Sequence, residues 1–186
     1  MTPTTYLLTG ATGLLGQCVL YELLEQHAQA LDQARIYCLG RRNRSESLKT
    51  RIETALRGPS GTYFRSPIDL GAAMEAIVPV EGSLREEGLA LDEVDLRRLR
   101  ERPPEHVIHV AALTDFRHGQ KVEERLRQTN QDGTERLLAL VDSLPQTPRS
   151  FNFVSSAYSC GLTPINAANS NPNCGFGSTS EIPGPS

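Results

Sequence analysis

The chain has 186 residues, which suffices for one globular domain or for a domain followed by a tail. Hydrophobic residues make up 38% of the sequence, charged residues make up 22%, and the net charge is −3. This composition predicts a buried core and argues against a nucleic-acid-binding protein, because the single basic cluster, residues 41–44, is too short to form an arm.

The sequence shows no membrane or secretion signal. No apolar run approaches the roughly 18 residues that span a bilayer, and the N-terminus lacks the basic flank and apolar core of a signal peptide. We therefore expect a cytoplasmic location. The four cysteines lack the spacing of metal or redox sites, so no metal site is predicted, and we interpret Cys18 and Cys38 as small core residues.

The first three predicted elements are a strand, a glycine-rich turn and a helix. The strand covers residues 4–8, and the helix is predicted over residues 14–30 from apolar residues at helical spacing. Between them, Gly10, Gly13 and Gly16 allow a sharp turn, a close approach to a pyrophosphate, and tight packing of the helix on its strand. Free N–H groups at the helix N-terminus attract phosphate, so this stretch predicts a dinucleotide-binding turn.

The elements that follow alternate between strands and helices. Strands are predicted over residues 35–39, 76–80, 106–112 and 151–154, and helices over residues 45–56, 92–102 and 122–144. Ser45 and Asp92 are the predicted N-caps, residues 58–71 are predicted as a loop, and Gly133 is expected to interrupt the last helix. This alternation predicts an α/β fold with a doubly wound parallel sheet, the Rossmann fold, truncated after about five strands.

The composition changes near residue 162. From there to residue 186 the sequence is rich in Asn, Gly, Ser and Pro, contains one charged residue, Glu181, and has no sustained periodicity. Such a segment buries too little apolar surface to offset its ordering entropy. We therefore predict a dinucleotide-binding domain over residues 1–161 and a disordered tail over residues 162–186.

The residues after the second predicted strand indicate which dinucleotide is preferred. An acidic residue there binds the ribose 2′-hydroxyl of NAD, whereas arginine accommodates the 2′-phosphate of NADP. This chain has Gly40, Arg41 and Arg42 at that position and no acid. One guanidinium can pair with the phosphate while the other covers the adenine, so the sequence favours NADP. The alternative is that both arginines are ordinary solvated side chains.

Two further patterns suggest sites but have simpler interpretations. His106 and His109 are three residues apart on a predicted strand and should point to opposite faces, which favours ordinary core or surface histidines over a metal site. Asp115, His118 and Ser155 have the residue types of a hydrolase triad, but no Gly-x-Ser-x-Gly elbow accompanies them.

Several motifs occur in a characteristic order across residues 5–162. The glycine turn reads Thr-Gly-x-x-Gly-x-x-Gly at residues 9–16. The other segments are Cys-Leu-Gly-Arg-Arg at 38–42, Val-Pro-Val-Glu-Gly-Ser-Leu at 78–84, Val-Ile-His-Val-Ala-Ala-Leu-Thr-Asp-Phe at 107–116, Thr-Asn-Gln-Asp-Gly-Thr at 129–134 and Val-Ser-Ser-Ala-Tyr at 154–158. In these motifs the chain resembles the N-terminal part of an extended short-chain dehydrogenase/reductase. It is most similar to the thioester reductase domains and to the NAD(P)-binding domains of fatty acyl-CoA reductases.

This resemblance implies a cofactor, a reaction and a set of site residues. The cofactor is NADPH, and the reaction is hydride transfer to an acyl thioester, bound to CoA or to a carrier protein, which releases an aldehyde or alcohol. Ser156 would hold the substrate carbonyl, and Asn130 would lie near the active site. The residues implied in cofactor binding are Thr9, Gly10, Thr12, Gly13, Leu14, Leu15, Gly16, Arg41, Arg42, Ser83, Leu84, Ala111, Ala112 and Leu113.

The sequence departs from the family pattern at two places. The family's acid is the tyrosine of a Tyr-x-x-x-Lys motif, whose lysine lowers the pKa of the phenol so that it can protonate the developing oxyanion. Beyond Ser156 this chain has only Tyr158, without that lysine, and its last lysine is Lys121. Ser83 also stands where the family commonly has the aspartate that contacts adenine.

These departures leave three functional hypotheses. The first is a truncated reductase that keeps the NADP site and does not turn over alone. The second is a non-catalytic NAD(P)-binding or sensor module that acts with another protein. The third is the cofactor half of an epimerase or dehydratase of the same fold, since cofactor binding alone does not fix the chemistry.

Overall fold

A computed structural model describes residues 2–43, 45–58 and 68–155 of the chain. The strands are β1 (Thr4–Thr9), β2 (Ala34–Gly40), β3 (Ile77–Glu81), β4 (His106–His109) and β5 (Ser150–Phe153). The helices are α1 (Leu14–Gln26), α2 (Leu48–Arg57), α3 (Leu70–Ala76), α4 (Glu93–Glu101), α5 (Gln120–Leu126) and α6 (Asp132–Asp142). Two short 3₁₀ turns cover Leu31–Gln33 and Glu87–Ala90, and a π-helical turn, Arg127–Gln131, joins α5 to α6.

The five strands form one parallel sheet in the order β3-β2-β1-β4-β5. The chain builds the sheet outward from β1 to β3 and then returns to the other side of β1 with β4. In the register of β1 and β4, Thr9 lies opposite His109. The connections diverge between these two strands, and the resulting crevice at their carboxyl ends is where sheets of this kind bind ligands.

Both faces of the sheet are covered, because alternate residues along each strand are buried on opposite sides. Leu8, Ile36 and Cys38 pack in one core with residues of α1, α2 and α3. Leu7 and Val107 pack in a second core with residues of α4 and α6. The predicted α/β fold with a doubly wound parallel sheet is therefore confirmed.

Strand β4 is shorter than predicted. The sequence predicts a strand over residues 106–112, but β4 ends at His109. The chain leaves the sheet there because side chains bind its next amide groups. The Ala111 N–H donates to the hydroxyl of Thr9, and the Leu113 N–H donates to a side chain of the π-helical turn.

Helix α2 begins later than predicted. Ser45 is not its N-cap, because the helix begins at Leu48 and Ser47 accepts the N–H of Thr50 through Oγ at 3.1 Å. The Leu48 N–H donates to the carboxylate of Glu81 at 3.0 Å, which satisfies a second free amide. The helix begins at this point because its buried positions recur every four residues from Leu48 onward.

Helix α3 is absent from the sequence prediction, which includes its first residues in the loop over residues 58–71. Asp69 is its N-cap, and its Oδ1 accepts the N–H groups of Gly71 and Ala72 at 2.7 and 3.3 Å. With 7 residues, the helix is too short for a helical periodicity to stand out. Residues 59–67 of the predicted loop lie outside the described residues.

The long helix predicted over residues 122–144 is divided into α5, the π-helical turn and α6. Gly133 does not interrupt it, because this residue lies inside α6. A Cβ on Gly133 would come within 2.8 Å of the Cβ of Leu84, so the glycine permits a close contact between α6 and the segment after β3. The irregularity falls instead at Arg127–Gln131.

The two described cysteines have different environments. Cys38 is buried in β2, and burial raises the pKa of its thiol to about 12. Cys18 is exposed, so its assignment to the core is wrong. It lies on α1 midway between the buried residues Gly16 and Leu20, and two residues correspond to about 200° around a helix. Cys18 therefore faces away from the core.

A compact unit of structure extends from Met1 to Val154. The predicted domain boundary at residue 161 and the predicted tail over residues 162–186 lie outside the described residues. Within the described ranges, no helix has the length and apolar character needed to cross a membrane. In the same ranges, no three His, Cys, Asp or Glu side chains come together as a metal site.

Candidate dinucleotide-binding site

The glycine turn joins β1 to α1 through closely packed backbone. Gly10 has a φ of +80°, and a Cβ there would lie 2.8 Å from the backbone N of Ala111. A Cβ on Gly16 would lie 1.9 Å from the carbonyl oxygen of Gly10, so the first turn of α1 rests directly on the backbone of the glycine turn. A Cβ on Gly13 would come no closer than 3.4 Å to that oxygen. Packing thus requires glycine at Gly10 and Gly16 but leaves space at Gly13.

The N-terminus of α1 presents uncapped backbone beside exposed apolar side chains. Gly13 is the N-cap and offers no side-chain hydrogen bond, and the first turn contains no acidic residue. Leu14 and Leu15 are 86% and 49% exposed, although both belong to the helix that covers the sheet. A helix N-terminus that no acidic residue neutralises favours a bound phosphate.

Arg41 and Arg42 follow β2, the strand next to β1, and both side chains are exposed. The Nε of Arg42 lies 3.8 Å from Oε2 of Glu81, an ion pair that solvent screens. Among the described residues, the Arg41 guanidinium has no hydrogen bond or ion pair, whereas its carbonyl accepts one from Arg51. The guanidinium of Arg41 is therefore available to a ligand at the carboxyl edge of the sheet.

Arg51 of α2 is a basic residue of this region that the sequence motifs did not indicate. Its Nη1 donates to the carbonyl of Arg41 and its Nη2 donates to Oγ1 of Thr12, both at 2.9 Å. Arg51 therefore ties the glycine turn to the segment after β2. The sequence feature that could have indicated Arg51 is its position near the start of the helix after β2, because such helices begin at the carboxyl edge of a parallel sheet.

The segment after β3 is a compact turn that contains Ser83 and Leu84. The Ser83 N–H donates to the carbonyl of Leu89 at 2.7 Å, and its hydroxyl accepts the Arg85 N–H at 3.3 Å. Leu89 is buried with a φ of 59°, a left-handed conformation that is costly for leucine. Leu84 packs against Gly133 of α6. The turn is thus held in one shape at the end of the edge strand.

Residues 111–113 follow β4 and face the glycine turn. The Ala111 N–H donates to the Thr9 hydroxyl at 3.1 Å. Asn130 binds both backbone groups of Leu113, since its Oδ1 accepts the N–H at 2.7 Å and its Nδ2 donates to the carbonyl at 2.9 Å. The Asn130 amide is therefore used to support this loop, and Ala112 between the two anchored residues is exposed.

Of the two predicted catalytic residues, Asn130 and Ser156, the second lies outside the described residues. The imagined hydrolase triad is not assembled. Asp115 binds Arg117 instead of His118, with its carboxylate accepting hydrogen bonds at 2.9 and 2.7 Å. These hydrogen bonds lower the pKa of Asp115 to about 2.

The two histidines of β4 lie in separate environments, as their spacing predicts. The His106 ring stacks on Tyr6 with 5.4 Å between centroids, and its Nδ1 lies 2.9 Å from Oγ of Ser150. His109 is buried between the hydroxyls of Thr9 and Thr134. One histidine is thus structural within the sheet, and the other reaches the glycine turn.

Comparison with known proteins agrees with this geometry. Residues 8–172 match the model of the NAD-binding family described as "Male sterility protein". The chain belongs to this family. The Male sterility family assignment confirms the resemblance to NAD(P)-binding reductase domains that the motifs indicated.

Relatives of this Male sterility family member include a synthase and the reductase domains of biosynthetic enzymes. The isonitrile lipopeptide synthase of Mycobacterium tuberculosis is 31% identical over 154 residues, which cover 82% of this chain and 6% of the synthase. The crystal structure of the terminal R domain from the myxalamid PKS-NRPS pathway is 31% identical with a TM-score of 0.60, over 84% of this chain and 35% of that chain. The reductase (R) domain of a non-ribosomal peptide synthetase from Mycobacterium tuberculosis is 27% identical with a TM-score of 0.60, over the same shares. This chain therefore spans about a third or less of each relative.

Proposed function

We propose that the chain binds NADP(H) in the crevice between β1 and β4, as the cofactor-binding part of a thioester reductase. The cradle at the glycine turn carries the proposal, because Gly13 leaves space at the N-terminus of α1 and that N-terminus has no side-chain cap. A pyrophosphate fits this backbone, since it approaches N–H groups that a side chain would block. Thr9, Thr12 and the exposed Leu14 and Leu15 would border it.

The preference for NADP(H) over NAD(H) rests on the arginines beside the turn. Arg41 has a guanidinium that no described residue occupies, and Arg51 fixes the Arg41 backbone relative to Thr12. Among the described residues, the contact that Arg42 would leave is a long, exposed ion pair to Glu81. A guanidinium binds a 2′-phosphate through two hydrogen bonds, whereas a 2′-hydroxyl offers no charge to pair with.

The remaining predicted contacts fit the two ends of an extended dinucleotide. Ser83 and Leu84, at the end of β3, would border the adenine. Ala111, Ala112 and Leu113, at the end of β4, would border the nicotinamide, which supplies a hydride when the cofactor is bound. Both segments are anchored by hydrogen bonds within the protein, so binding orders little additional backbone.

We propose an acyl thioester, bound to CoA or to a carrier protein, as the substrate class. The proposal is supported by the solved R domains of the myxalamid PKS-NRPS pathway and of a non-ribosomal peptide synthetase, to which the chain is 31% and 27% identical. Ser156 would donate a hydrogen bond to the substrate carbonyl. Asn130 would contribute by holding Leu113, since its amide is already bound to that backbone.

We further propose that these 186 residues bind the cofactor but do not complete the reduction by themselves. Their sequence contains no Tyr-x-x-x-Lys motif to protonate the developing oxyanion. The same observation favours a second candidate, a non-catalytic NAD(P)-binding module. Incubation with NADPH and acyl-CoA tests both, because reduction at an ordinary enzymatic rate would contradict this proposal and the module hypothesis alike.

Charge reversal at the arginines tests the assigned cofactor. Arg41→Glu should weaken NADPH binding about tenfold or more, because a charge-assisted hydrogen bond is lost, and should change NADH binding by less than about threefold. Arg97→Glu, on an exposed position of α4, is the matched control and should leave both affinities unchanged. Equal losses for NADPH and NADH in Arg41→Glu would refute the arginine assignment.

A further inference from the structure

A continuous chain of hydrogen bonds passes through the buried side chain of His109. Its Nδ1 lies 2.6 Å from Oγ1 of Thr9, and its Nε2 lies 3.0 Å from Oγ1 of Thr134. The Thr9 oxygen also accepts the Ala111 N–H, and the Thr134 hydroxyl donates to the carbonyl of Asn130 at 2.6 Å. This series of hydrogen bonds therefore extends from the loop after β4 to the π-helical turn.

With a neutral His109 ring, these partners admit one arrangement of protons. Thr134 has a single hydroxyl hydrogen and gives it to the carbonyl of Asn130, so the Nε2 of His109 must donate its N–H to Thr134. The Nδ1 is then an acceptor, and the Thr9 hydroxyl donates to it while accepting the Ala111 N–H. Burial also lowers the pKa of His109, which favours the same neutral ring.

The two ends of this series of hydrogen bonds hold the two ends of the loop of residues 111–113. Thr9 binds the amide of Ala111, and Asn130 binds both backbone groups of Leu113. His109 connects these anchors, because Thr9 and Thr134 bind its opposite nitrogens. The backbone of the glycine turn packs directly on Ala111, so a shift of either anchor changes the width of the crevice.

We propose that His109, as the neutral Nε2–H tautomer, is a positioning residue that sets the loop of residues 111–113 against the glycine turn for NADP(H). The ligand named here rests on the proposed function. His109 does not contact the reacting atoms in this scheme, because both of its ring nitrogens are occupied by threonine hydroxyls.

Substitution of Thr134 tests the proposal in the full chain. Thr134→Val keeps the shape of the side chain but removes the acceptor of the His109 N–H, and a buried donor left unpaired is costly. We expect the dissociation constant of NADPH to rise about tenfold and amide hydrogen exchange at Leu113 to accelerate. Thr134→Ser restores the hydroxyl and should stay within about threefold of the wild-type affinity.

Thr5→Val is the matched control, because it also removes a buried threonine hydroxyl but at a site away from His109. The Thr5 hydroxyl donates to the carbonyl of Pro103 and accepts the Glu105 N–H at the opposite end of β1. This variant should be less stable to urea but should bind NADPH as tightly as wild type. Wild-type affinity and wild-type Leu113 exchange in Thr134→Val would overturn the proposal.

The tautomer gives a readout that needs neither a variant nor the cofactor. Nitrogen-15 NMR of the wild-type chain should show a protonated Nε2 and an unprotonated Nδ1 for His109, and a protonated Nδ1 would overturn the proposal. If the wild-type chain binds neither NADPH nor NADH, the proposed function fails. The tautomer and the Leu113 exchange in Thr134→Val then still decide whether His109 holds the loop.

Discussion

The three glycines of the turn differ in what surrounds them. A Cβ at Gly16 would lie 1.9 Å from a backbone oxygen, whereas a Cβ at Gly13 would lie 3.4 Å from the same atom, which is an ordinary contact. Backbone cannot move aside as a flexible side chain does. The family spacing therefore combines two glycines that the fold itself requires, Gly10 and Gly16, with one, Gly13, that leaves room above the helix N-terminus.

Alanine substitutions separate these two roles. Gly16→Ala should lower the free energy of unfolding by about 3 kcal/mol or more, because the backbone must shift to accommodate the methyl group. Gly13→Ala should change it by less than about 1 kcal/mol. Urea denaturation measures both values, and similar stabilities for the two variants would contradict the packing described for Gly16.

The buried His109 makes the stability of the fold depend on pH. Burial lowers the pKa of His109, and of His27, so the unfolded chain binds these protons more strongly than the folded chain. Their contribution is complete above the unfolded pKa of about 6.5 and is lost as the pH falls toward the lower folded value. The urea midpoint should therefore be lower at about pH 5 than at about pH 7.

Two glutamine variants test whether His109 causes this pH dependence. His109→Gln should reduce the loss of stability between these pH values, although its stability near neutral pH should also be lower. His118→Gln, at an exposed position, should retain the full dependence of the wild-type chain. A His109→Gln variant with an unchanged pH profile would show that His109 titrates alike in both states.

Some candidate site residues belong to a local sequence motif and others do not, and the distance along the chain between contacting residues explains the difference. The glycine turn is local, so eight consecutive residues are enough to identify its motif. Arg51 reaches Thr12 across 39 residues, and His109 reaches Thr134 across 25 residues. Such contacts depend on how helices pack on the sheet, and no spacing in the sequence encodes them.

Apart from the short helix α3, the helices and strands were predictable in type because apolar runs and helical spacing alternate clearly along the chain. Their ends were less predictable, because side chains of other elements decide them. Strand β4 ends where Thr9 and Asn130 bind the next amides, and α2 begins where Ser47 and Glu81 satisfy its first N–H groups. The π-helical turn likewise has no sequence signal of its own.

Serine variants test the observed start of α2. Ser47→Ala should lower the free energy of unfolding by about 1 kcal/mol, because the Thr50 N–H loses its capping acceptor. Ser45→Ala removes the N-cap predicted from sequence and should have an effect of less than about 0.5 kcal/mol. Urea denaturation distinguishes them, and a larger effect at Ser45 than at Ser47 would place the cap where the sequence suggested.

The compact unit that ends at Val154 is built on a parallel sheet whose connections diverge beside β1. Every described candidate cofactor residue lies at the carboxyl edge of this sheet. The glycine turn, the segment after β2 and the loop after β4 converge there through Arg51 and Ala111. The chain spans 35% of the solved R domains to which it is similar. Cofactor binding is thus the proposed property that can be tested directly on this chain.

The most direct measurement is a calorimetric titration of the full chain with NADPH and, separately, with NADH. We predict one NADPH site per chain and an affinity for NADPH at least about tenfold higher than for NADH, because a guanidinium at Arg41 pairs with the 2′-phosphate. Absence of binding by either dinucleotide would contradict the proposed site.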